Sequence, residues 1–143
     1  VAKWPFLCPF CSVDTKRVVV QNELALAFHD AFPVTPGHIL VIPRRHIADY
    51  FDLSPEEQTA VWELVNRVRD RLALESAPDG YNLGVNVGSA AGQTVGHAHV
   101  HVILRRHGDQ EDPRGGVRWI FPERAQYWHD RLPGERLFQR DEK

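Results

Sequence analysis

Residues 52–75, DLSPEEQTAVWELVNRVRDRLALE, carry one uninterrupted helical pattern, and the other patterned segments before the C-terminal stretch are short and strand-like. Ser54 supplies an N-cap, Pro55 occupies the first helical position, and Glu56 and Glu57 put negative charge in the first turn. Ala60, Val61, Leu64, Val65, Val68 and Leu72 then recur at three- and four-residue steps and form a single apolar face. KRVVVQNELALAFHD alternates and is rich in β-branched residues, so it reads as a hairpin turning near Gln21 to Glu23. AFPVTPG is a loop, HILVIP (38–43) a buried strand, YNLGVNVG a strand, SAAGQ a turn and VGHAHVHVILR a further strand. Beyond these, HGDQEDPRGG is expected as a loop, VRWIF as a short strand closed by Pro122, and ERAQYWHDRL as a short final helix. The order β-β-β-α-β-β with tight connections predicts an α+β fold built on a mainly antiparallel sheet.

The 143 residues fit one domain spanning 1–143. Hydrophobic residues make up 43% and charged residues 25%, the balance of a soluble globular chain. A net charge of -2 argues against long nucleic acid as a partner and leaves room for a local pocket that holds one small anion. No apolar run approaches the roughly 20 residues of a membrane span. VAKWPFLCPFC lacks a basic region followed by a long apolar core, so no secretory signal is read there and the cytoplasm is the expected compartment. The two cysteines lie in CPFC, a spacing that suits a metal or redox site better than a structural bridge.

In a strand over 97–104, His97, His99 and His101 share one face, roughly 7 Å apart, while Ala98, Val100 and Val102 bury on the other. Three readings fit such a row: a solvated strand face, a three-histidine metal site, or nucleophilic catalysis at phosphorus. Neutral imidazole is a good nucleophile near neutral pH, and neighbouring imidazoles can hydrogen-bond phosphoryl oxygens in the transition state. There is neither a P-loop nor an HExxH motif.

His97-Ala98-His99-Val100-His101-Val102-Ile103 resembles the motif of the histidine triad (HIT) family. GQTVGH, AFHDAFPVTPGHILVIPRRHI and YNLGVNVG also match it, in order, over a core of about residues 5–106, leaving 107–143 as a C-terminal extension. The resemblance implies a five-stranded sheet with one long and one or two short helices. It also implies a nucleotidyl hydrolase or transferase that forms a covalent intermediate at the α-phosphorus and needs no catalytic metal. By position, His99 resembles the nucleophile, His101 a phosphate ligand and His38 the fourth active-site histidine. Asn86 resembles the polar contact from the preceding strand, and Gln93 and Thr94 the contacts to phosphate and leaving group. Gly92 would permit close backbone approach to an anion. Asp30 resembles the residue that holds the ribose hydroxyls. His29, His107 and His129 have no counterpart in the motif and are expected to be structural or solvated.

The same resemblance suggests a structural zinc held by Cys8, Cys11, His46 and His97, which would fix the register of His99. The Arg- and Trp-rich tail is similar to that of bacterial dinucleoside-polyphosphate hydrolases. It is expected to pack on the core, or else to bring Arg105, Arg106, Arg114 or Arg118 to distal phosphates. The family's two-fold homodimer would use the long helix and the strand before the triad. The expected substrate is a purine nucleotide derivative, with dinucleoside polyphosphates foremost. A nucleoside phosphoramidase and a nucleotide-binding adaptor with weak turnover are the alternatives.

Overall fold

The computed structural model describes residues 8–128, which divide into two compact units between Asp109 and Gln110. The first unit holds the sheet. Strands β1 (Val18–Gln21), β2 (Ala25–His29) and β3 (Ile39–Pro43) precede helix α1 (Pro55–Glu75), which is followed by β4 (Gly80–Val85) and β5 (Val100–Arg105). All pairs are antiparallel, in the order β1-β2-β3-β5-β4. The fold is thus α+β with a five-stranded antiparallel sheet and one long helix.

Local chemistry explains the elements. Asn22 closes the β1–β2 turn by accepting from the amides of Leu24 and Ala25 through its Oδ1. At the start of α1, the Ser54 hydroxyl accepts from the Glu57 amide while the Glu57 carboxylate accepts from the Ser54 amide, a reciprocal capping box. Val61, Leu64, Val65, Val68 and Leu72 of α1 pack on Ala25, Ala27, Ile39, Val41, Val100, Val102 and Leu104, which come from one face of the sheet. The other face of β2 and β3 carries Phe28, Leu40 and Ile42, covered by Phe10 and Val13. His101 pairs with Leu40 in the register, so the histidine face of β5 is the one away from α1.

Two expectations are corrected. β5 begins at Val100, not at His97, because the backbone before it bonds elsewhere: the Ala98 amide donates to Ile47 O, and His97 O accepts from its neighbour's ring. VRWIF is not a strand. Residues Gly116–Ile120 form a 3-10 turn after Gly115 and Gly116, both at positive φ, where a chain turns readily and strand pairing is lost. The final helix is a single turn, Pro122–Ala125, and the part of its expected span from residue 129 on, His129 included, lies outside the described residues. His29 and His107 are exposed. No helix among the described residues is long and apolar enough to cross a membrane.

Candidate active site and metal centre

β3 and β5 lie side by side, and the residue before each carries a histidine: His38 before Ile39 and His99 before Val100. His38, His97 and His99 are buried and His101 is half-buried. The His99 and His101 rings sit 5.0 Å apart, and those of His38 and His101 5.2 Å apart.

Backbone groups fix which ring nitrogen carries each proton. His99 Nδ1 lies 2.8 Å from His97 O, and a carbonyl only accepts, so Nδ1–H donates and the neutral ring has its lone pair on Nε2. The Val34 amide donates to His38 Nδ1 at 3.2 Å, which puts the neutral His38 proton on Nε2. That proton points to His101 Nδ1 at 2.9 Å. His101 therefore accepts on Nδ1 and holds its own proton on Nε2. An open nitrogen on the neutral form of His99 and an N–H donor on His101 thus belong to rings 5.0 Å apart. Burial is the main reason that His101 stays neutral, with the nearby His99 and His38 next, and its pKa is pushed down to about 4. Burial also lowers His38, opposed by the Asp30 carboxylate.

Asp30 Oδ2 lies 3.6 Å from His38 Nε2, and its Oδ1 accepts from the Phe32 amide at 2.9 Å. Asn86 follows β4 by one residue. It falls one register step beyond the Val85–Val100 pair, where the opposite position is His99. Gly92 takes φ +88°, a conformation that glycine adopts without strain, and it ends the turn Ser89–Ala91 beside an exposed Thr94.

Three further side chains converge on His97. The ligand atoms of Cys8, Cys11, His46 and His97 all lie within 4.8 Å of one another. Cys8 Sγ and Cys11 Sγ are 3.6 and 3.7 Å from His97 Nδ1, and Cys11 Sγ is 3.1 Å from His46 Nδ1. A tetrahedral zinc bound by sulfur and nitrogen would separate such atoms by about 3.5 Å. His97 Nε2–H donates to Pro43 O at 2.8 Å, so the Nδ1 lone pair faces the two sulfurs. The donor set, its spacing and the imidazole tautomer fit a zinc ion.

The HIT domain matches residues 12–108, more than half of the chain. The chain belongs to the HIT family. A bis(5'-adenosyl)-triphosphatase of Dictyostelium discoideum is 38% identical to this HIT chain over 100 residues, covering 70% of it and 67% of that protein. The structure of a HIT family protein from Bacillus anthracis superimposes with a TM-score of 0.66 at 38% identity, over 71% of this chain and 75% of that one. A Zn-bound histidine triad family protein from Mycobacterium smegmatis does so with a TM-score of 0.65 at 36% identity, over 75% and 81%.

The HIT site has a member that sequence reasoning missed. Phe10, between the two cysteines, meets the His99 ring edge-on at 5.2 Å and Phe28 at 5.4 Å. The CxxC segment thus seats an aromatic ring against the imidazole before β5. The one available signal was the apolar Pro9-Phe10 pair inside the CxxC. The arginines considered for distal phosphates are engaged elsewhere. Arg105 binds Asp109 and Asn82, and Arg106 binds Ser76 O. Arg114 binds Asp112 and lies over Trp128, while Arg118 binds the carbonyls of Arg124 and Ala125.

Proposed function

We propose that this HIT protein hydrolyses purine nucleotide derivatives at the α-phosphorus, dinucleoside polyphosphates foremost, through a covalent nucleotidyl-His99 intermediate. The observation that carries this reading is the 2.8 Å contact of His99 Nδ1 with His97 O, which places the lone pair of the neutral ring on Nε2. In the first step Nε2 forms a bond to phosphorus as the bond to the departing oxygen breaks, and the electron pair leaves with that oxygen. His101 Nε2–H donates to a phosphoryl oxygen and stabilises the charge that develops there. In the second step water attacks phosphorus, the nitrogen–phosphorus bond breaks and its electron pair returns to Nε2. The proton from water passes to solvent, and the mononucleotide is released.

In this reading Asp30 holds the ribose hydroxyls, and Asn86, Gly92 and Thr94 border the phosphates. The relative named as a bis(5'-adenosyl)-triphosphatase supports the substrate class. Zinc at Cys8, Cys11, His46 and His97 has a structural part. It would fix His97, whose carbonyl in turn orients the nucleophile.

The experiment is a panel of diadenosine polyphosphates and adenosine phosphoramidates with His99→Ala as control, joined to acid-quenched mass spectrometry of the intact chain. The expected result is a mass gain of one nucleoside monophosphate on the wild type and loss of turnover in the variant. Full turnover by His99→Ala would falsify the covalent mechanism, and a preference for phosphoramidates would move the leaving group from phosphate to amine.

A further inference from the structure

The carboxamide of Gln93 is bonded to three backbone groups. Its Nε2 donates to Ala48 O at 2.8 Å and to Val95 O at 3.0 Å, and its Oε1 accepts from the Gly88 amide at 2.9 Å. The Gln93 amide also donates to Gly88 O, so Gly88 and Gln93 hold each other at both ends of the turn. Both amide protons are thus taken, and no donor remains to reach a phosphate. We propose that Gln93 is a positioning residue of the triad, acting through the backbone on His99, and not a phosphate ligand.

The physical path is short. Gln93 ties the segment before the triad to Ala48, two residues after His46. One step further along, the Ala98 amide donates to Ile47 O. The stretch 93–98 is therefore fastened to 47–48 at both its ends. Between those fastenings lies His97, whose carbonyl fixes the His99 proton on Nδ1. Without this stitch the carbonyl is freer to rotate, and both the aim and the tautomer of the nucleophile loosen. Displacements well under an ångström suffice, because an in-line attack tolerates little misplacement.

The inference rests on the hydrolytic reading above, and its test separates the two. Gln93→Ala removes all three side-chain bonds. Gln93→Glu keeps the acceptor for Gly88 but turns a carboxylate oxygen toward two carbonyls. For both variants and the wild type we would measure kcat and KM on a diadenosine polyphosphate and on an adenosine phosphoramidate. Hydrogen exchange over 86–98 and the ring 15N shifts of His99 complete the set. Thermal melting checks that each variant folds. The expected outcome is a fall in kcat of about ten- to a hundredfold, the same for both substrates, with KM within about twofold. Exchange at Gly88 and Ala98 should speed up, and the His99 shifts should move from one tautomer toward a mixture. A KM that rises mainly for the polyphosphate, with exchange and ring shifts unchanged, would mark Gln93 as a phosphate contact and overturn the proposal. Faster exchange with unaltered kcat and unaltered ring shifts would also overturn it. If the wild type turns over neither substrate, the hydrolytic reading fails, while the ring shifts still decide whether Gln93 governs His99.

Discussion

At the scale of single residues, burial pushes His38 and His101 toward their neutral forms. A histidine whose folded pKa lies below its ordinary value near 6.5 favours folding in its neutral form. For His101 that contribution is complete above about 6.5. It is lost as the pH falls toward its folded value of about 4, because the unfolded chain takes up the proton first. His38 is shifted in the same direction. The melting temperature should therefore decline between pH 6.5 and 4, and His101→Asn should flatten part of that decline. Identical slopes for wild type and variant would remove His101 from the account. The row of histidines was legible in the sequence, and the His99 and His101 rings do meet at 5.0 Å although only His101 lies in β5. Which nitrogen of each neutral ring carries the proton was not legible, since Val34 N and the carbonyls of Pro43 and His97 decide it. Phe10 was hidden for a similar reason. Only folding brings the CxxC segment against His99.

At the scale of elements, α1 was the most readable feature, because cap, proline and apolar stripe all agree. Its first turn also shows what the pattern omits. Glu57 serves the capping box and, from the same carboxylate, accepts both prongs of Arg45 at 2.7 and 3.1 Å. The Arg45 guanidinium is the chief reason that the Glu57 carboxyl is pulled down to about 2, with the Ser54 amide and hydroxyl adding to it. Ser54→Ala should cost about 1 kcal/mol, or a melting shift of about 2–4 °C. Glu57→Gln should cost a similar amount, because the half-exposed Arg45 is screened by solvent. The double variant should lose less than the sum, since both residues belong to one box. Calorimetry of the three proteins checks this, and strict additivity would mean that the box is not cooperative. β5 and VRWIF misled for a common reason. Alternation reports which side chains are apolar, while strand pairing requires free backbone groups and a partner, and the Ala98 amide and the His97 carbonyl are already bonded elsewhere.

At the scale of the whole molecule, the candidate metal centre joins parts of the chain that are far apart in sequence. Cys8 and Cys11 stand 89 and 86 residues before His97, and His46 lies in the connection between β3 and α1. A bound ion would close these long loops at one point and hold Phe10 against His99. Without it, burial and the neighbouring Cys8 raise the Cys11 thiol above its ordinary value, which favours the protonated form. A dication would reverse that by displacing the proton. The expectation is about one zinc per chain by elemental analysis of protein purified without chelators. Stripping the metal should lower the melting temperature by about 5 °C or more. Cys11→Ser should bind zinc more weakly and melt lower, and the His99 ring signals should broaden as Phe10 loosens. A metal-free preparation with the same melting temperature and the same ring signals would show that the four side chains pack by themselves. The alignment of His97 would then rest on Pro43 O and the 47–48 stitch alone.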